Sequence, residues 1–182
     1  MTTPRIVAIP GSLRRDSFNR KLVALGAAAL REAGAEVDVV DLKELALPVY
    51  DGDIESAGMP AGALVLKDRI AGASGLFVST PEYNHGVPGA LKNAIDWASR
   101  GGSNPFQGKW AALTSASPGG FGGMRGLAAL RPTLTCLGAY LLPRELNLSR
   151  AGEAFRADGS LVDRKTHDQL VALMTALVER LR

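Results

Sequence analysis

The sequence has one cysteine, Cys136, among 182 residues, which excludes an intramolecular disulfide and any zinc site built on paired thiolates. Long apolar runs are missing too. The N-terminal stretch MTTPRIVAIPGS holds a five-residue apolar run before Gly11, too short for the core of a secretory signal. No run approaches the ~20 apolar residues of a membrane-spanning helix. These absences point to a cytoplasmic protein that does not enter a membrane. The formal charge is +3, but the basic residues are scattered singly or in pairs, and no aromatic RNA-reading motif accompanies them. Nucleic acid is therefore not an expected partner. A weak positive field of this kind favours anionic ligands such as phosphorylated dinucleotides.

At 46% hydrophobic and 21% charged residues, the chain has the make-up of one compact domain, able to bury roughly 70% of its extended surface. Short apolar runs alternate with segments of helical period, the pattern of βαβ units and a parallel sheet. Strands are expected at Arg5–Ile9, Glu36–Val40, Gly75–Thr80, Lys109–Ala116 and Tyr140–Leu142. Helices are expected at about Asn19–Ala33, Ala61–Ala73, Gly89–Ser99, Leu127–Leu137 and Arg164–Leu181. Pro132 either bends the fourth helix or marks a later start. Residues 43–60 read as an irregular connection and Asn147–Gly159 as a polar loop, while Cys136 reads as core. Five strands and five helices in alternation predict an α/β, three-layer, doubly wound five-stranded parallel sheet of flavodoxin-like order 2-1-3-4-5.

Such sheets bind ligands beyond the carboxyl ends of their strands, where the strand order reverses, so the loops after strands one, three and four come into question. The first reads PGSLRRDSFN. Gly11 permits a tight turn with backbone close to a ligand, and Ser12, Ser17 and Asn19 offer donors at a helix N-terminus, a setting suited to phosphate. The same residues also fit a plain reading in which Ser17 caps the helix and Arg14 and Arg15 are solvated. The loop is neither GxxxxGK[ST] nor GxGxxG. A phosphate site of hydroxyls and amides, without lysine or magnesium, suits a bound cofactor monophosphate better than a nucleotide awaiting hydrolysis.

The second loop reads STPEYNHGVPGALKNAIDW. Pro81, Gly86, Pro88 and Gly89 stiffen it and leave backbone groups free to meet a flat heterocycle, and Tyr83 either packs on a ring or lies at the surface. The third, SASPGGFGGMRG, is a flexible connection or a place where a planar ligand meets bare backbone.

Together, GSLRRDSFN and TPEYNHGVPGALKNAIDWASR resemble the NADPH-dependent FMN reductase family, which includes bacterial quinone and chromate reductases and azoreductases. The likeness runs over essentially the whole chain and is weakest at 43–60 and after Gly152. It implies a single FMN-binding domain over 1–182. It also implies ping-pong transfer of hydride from NADPH or NADH to FMN, and then to quinones, free flavin, azo compounds or chromate. The FMN phosphate would fall to Gly11, Ser12, Arg14, Ser17 and Asn19, with Leu13 and Phe18 shaping the pocket. The pyrimidine side of the ring would meet Pro81, Glu82, Tyr83 and Asn84, and the flavin would lie against Ser117, Gly119 and Gly120. No catalytic side chain is required, since the chemistry occurs at FMN N5. Homodimers or homotetramers are expected. His85 departs from close relatives, which often carry tyrosine there.

Two rivals share the topology. A flavodoxin-like electron carrier, or a non-catalytic flavin-binding protein, would use the same loops, although carriers are typically acidic. A low-molecular-weight phosphatase needs a cysteine in the first loop, which has none.

Overall fold

The computed structural model describes residues 2–182. Its centre is a parallel sheet. β1 (Arg5–Pro10) pairs on one side with β2 (Glu36–Val39) and on the other with β3 (Gly75–Ser79), which pairs in turn with β4 (Trp110–Ala116). The order is β2-β1-β3-β4-β5, with β5 being Tyr140–Leu141. The three inner strands are apolar and buried almost throughout because both their faces are covered. Alternation sends Ile6, Ala8, Phe77 and Ala112 to one face. It sends Val7, Ile9, Leu76, Val78 and Leu113 to the other.

Helices α1 (Phe18–Glu32) and α6 (Arg164–Arg180) cover the first face. The glycine at 26 lets them approach, since a Cβ there would run into the Phe77 ring. The opposite face carries α3 (Ala61–Ala71), α4 (Gly89–Ala98) and α5 (Met124–Cys136). Two central connections, β1 to β2 and β3 to β4, leave the sheet in opposite directions. The switch point therefore lies between β1 and β3, under the loops that follow them.

Four expectations need correction. A sixth strand, β6 (Leu146–Leu148), pairs with Thr114–Ala116 of β4, so the expected loop begins later than Asn147. The fifth position in the sheet is thus shared by β5, beside the start of β4, and β6, beside its end. Residues 43–60 contain a short helix, α2 (Gly52–Ala57), whose N-cap Asp51 accepts from Asp53 N. α5 starts three residues before the expected Leu127 and encloses Pro132. Pro132 and Ala128 are both exposed, so the carbonyl left without a helical partner faces water. Cys136 is exposed, on the last turn of α5 rather than in the core.

Candidate functional site

The first loop runs from the end of β1 to the N-cap of α1. Its glycine is required for a reason other than a turn. A Cβ at Gly11 would sit 2.6 Å from Thr80 Oγ1 and 2.9 Å from a Leu91 methyl, so Gly11 lets the first loop lie against the second. Gly11 N donates to Ser79 O at 2.8 Å. Ser12 and Ser17 are 3% and 6% exposed, and each hydroxyl oxygen accepts from a backbone amide, Arg14 N at 3.3 Å and Asn19 N at 3.2 Å. Ser17 is therefore the helix cap, as its plain reading has it. A capping hydroxyl keeps its proton, so both serines can still donate to an anion beside the positive end of α1. Leu13, Arg14 and Arg15 are exposed.

Asn19 is tied to the sheet through its side chain. Its carboxamide donates to Ala116 O at 2.9 Å and accepts from Ala116 N at 2.9 Å and Ser79 Oγ at 3.0 Å. That side chain binds α1 to the ends of β4 and β3. Phe18 lies parallel to Phe155, with ring centroids 6.0 Å apart and planes 4° from parallel. The Lys21 ammonium lies 5.3 Å from the Phe155 centroid. The segment after Gly152 thus forms the outer wall of the first loop. Sequence inspection had no signal for this contact, because Phe155 is isolated among polar residues.

The second loop turns back on itself at once. Tyr83 and Gly86 exchange backbone hydrogen bonds of 3.2 and 3.0 Å, and Asn84 and His85 both have positive φ, 51° and 63°. This is a two-residue turn of the left-handed kind, for which asparagine and histidine are tolerated among residues with side chains. Pro81 is buried, whereas Tyr83 and Asn84 are exposed. The Glu82 carboxylate accepts from Arg125 N at 3.0 Å and Gly126 N at 3.3 Å, and so faces α5. The long helical part of the motif also has structural work. Asn93 Nδ2 and Trp97 Nε1 both donate to Pro48 O at 2.8 Å, and Asn93 Oδ1 accepts from Tyr50 N at 2.8 Å. α4 thereby holds the 48–50 segment in place.

In the third loop, Ser117 is half-buried and Gly119 and Gly120 are exposed with room around them, so a ligand can approach their backbone. The glycines that packing demands lie just beyond. Gly122 (φ 60°) presses on the backbone of Asn147 and Ser149, Gly123 (φ 87°) on Ser115, and Gly126 on Glu82 and Pro81. Beside the first loop, Arg20 Nη2 meets Asp41 Oδ1 at 2.6 Å. That hydrogen bond holds the Asp41 carboxyl below the ordinary carboxylate range. A concavity of about 710 Å³ lies between residues 142–146 and α6, and no residue of the three loops lines it.

A doubly wound sheet whose switch point carries a hydroxyl-lined helix N-terminus, with no P-loop lysine, defines a flavodoxin-like protein. A sequence profile of NADPH-dependent FMN reductases matches residues 4–153, and the chain belongs to that family. It is 38% identical to an NAD(P)H-dependent FMN reductase of Pseudomonas aeruginosa, covering 98% of this chain and 97% of that one. It is 36% identical to a quinone reductase of Escherichia coli K12, over 96% and 94% of the two chains. Among solved structures it resembles the flavoenzyme NAD(P)H:(acceptor) oxidoreductase FerB of Paracoccus denitrificans, with a TM-score of 0.88 and 35% identity over 98% and 97% of the chains.

Proposed function

We propose that the chain holds FMN across the carboxyl ends of β1, β3 and β4, oxidises NAD(P)H, and passes the electrons to a quinone-like small molecule. Membership of the FMN reductase family and likeness to quinone reductases support the activity. The observation that carries the site is the pair of buried hydroxyls before α1, Ser12 and Ser17, each of which accepts from one backbone amide and keeps its proton to donate. Two donors and a helix dipole without a lysine fit a monophosphate that stays bound. Arg14, exposed beside them, supplies a cation from the solvent side.

FMN, when bound, would supply the hydride-accepting and electron-releasing chemistry, and Ser12, Arg14 and Ser17 would hold its phosphate. The protein's part is to bind and orient. The left-handed turn at Asn84 and His85 stiffens Pro81–Asn84, whose backbone would meet the polar edge of the ring. Gly119 and Gly120 add no side chain at the third loop, which leaves space for reductant and acceptor to take turns beside Ser117. The proposal extends to one cofactor-binding domain over 1–182, since the chain and its Pseudomonas relative cover each other almost end to end. It further extends to a homodimer or homotetramer acting in the cytoplasm. Among the described residues, no helix is long and apolar enough to cross a membrane.

The visible spectrum of the purified protein tests this reading. Two flavin bands that bleach on anaerobic addition of NADPH are expected. Absence of flavin absorbance, with no NAD(P)H oxidation after FMN is added, refutes it. Ser17→Ala removes one buried donor and should weaken FMN binding about tenfold, the size of a single hydrogen bond to a charged group.

A further inference from the structure

α5 begins without a cap of its own. Its N-cap position is Gly123, which has no side chain to offer to the first-turn amides. Nor can a capping residue be placed there. Gly123 has φ 87°, and a Cβ would lie 2.9 Å from the Ser115 Cβ. The amides of Arg125 and Gly126 are instead taken by a carboxylate more than forty residues away in sequence, Glu82 Oε2, at 3.0 and 3.3 Å. Glu82 Oε1 lies 3.6 Å from Arg125 Nη1, and the side chain is only 12% exposed. The charge sits at the positive end of α5, where a carboxylate is favoured. Gly126 makes the approach possible, because its missing Cβ would fall 3.1 Å from Glu82 Cα and 3.2 Å from Pro81 O.

We propose that Glu82 is a positioning residue, whose carboxylate caps α5 from outside the helix and thereby sets the spacing between the second and third loops. The inference rests on the reading of those loops as the FMN site. Glu82 lies between Pro81 and Tyr83, so its backbone is part of the edge proposed to meet the flavin. The helix it caps follows directly on the glycine run proposed to lie against the ring. Arg125 strengthens the link, since its guanidinium also contacts His85 Nε2 at 3.3 Å and lies over the Phe121 ring at 4.4 Å. One ion pair thus joins the turn of the second loop, the third loop and the start of α5. The carboxylate of the second motif serves to hold two loops together.

The test compares E82A and E82Q with the wild-type protein in FMN affinity, in the absorption spectrum and midpoint potential of bound flavin, and in kcat and KM for NADPH. Loss of the charged cap in E82A should raise the FMN Kd by about tenfold and displace the flavin bands and potential. E82Q keeps an oxygen for the two amides but not the charge, and should fall between. Should E82A fail to fold, E82Q carries the comparison. If the variants lose only apoprotein stability while affinity, spectrum and potential stay at wild-type values, the inference is overturned. A wild-type protein that binds no FMN overturns both this inference and the function it rests on.

Discussion

At the scale of single residues, the polar side chains nearest the candidate site divide into those left free to donate and those used up as ties. Asn19 belongs to the second group. Three hydrogen bonds of 2.9 to 3.0 Å join it to Ala116 and Ser79, and it is 2% exposed. Asn19→Ala leaves the backbone groups of Ala116 buried without their partners, and should lower stability by about 2–3 kcal/mol in urea denaturation. FMN affinity should fall with it, because α1 and its serines lose their anchor to β4. The sequence marked Asn19 by its place in the first loop, yet its job was not visible there, since its partners are 60 and 97 positions away. The cap at Ser17 was legible because a serine just before a run of helical period is a local signal. Cys136, expected in the core, lies off the buried stripe of Leu127, Leu130 and Leu134 on α5.

At the scale of elements, the outer edge of the sheet depends on charge more than on burial. β2 is half-exposed, and Asp38 on it accepts from Arg69 Nε of α3 at 2.9 Å and from Arg5 of β1 at 3.5 Å. The hydrogen bond from Arg69, followed by the field of the same guanidinium, keeps the Asp38 carboxyl below its usual range. A carboxyl depressed in the folded state stabilises the fold above the unfolded value, near ~4, and loses that contribution as pH falls through its folded pKa. The pH at risk therefore lies below ~4. Asp38→Asn should cost about 1 kcal/mol at neutral pH and flatten the acid side of the Tm profile by a similar amount. Thermal melts between pH 2.5 and 7 check both. The elements themselves were mostly legible, because inner strands and amphipathic helices have clear periods. β6 was not, since three residues with one polar centre, Leu146–Leu148, are too few to show alternation. α2 was hidden among prolines and glycines that read as loop.

At the scale of the whole molecule, the strand order followed from the alternation of strands and helices, and the candidate site is placed by that order. What alternation could not convey is how the three loops are fastened to one another. Gly11 against Thr80, Asn19 to Ala116 and Glu82 to α5 are all contacts between distant stretches of chain. The division of the fifth sheet position gives this assembly a further property. β5 supports the start of β4, whereas β6 supports its end and borders the glycine run at Gly122. Between them Pro143 and Arg144 are exposed and belong to neither ladder. The sheet edge is in effect hinged there, with its cofactor-side half held by its own hydrogen bonds. Extra chain length at that point need not be transmitted to the loops. A short flexible peptide inserted between Pro143 and Arg144 should leave FMN binding and NADPH oxidation unchanged, while the same peptide inserted between Asn147 and Leu148 abolishes them. Such a result would mark a place where new sequence, and with it new contacts to other molecules, can be added without disturbing the end proposed to bind the cofactor.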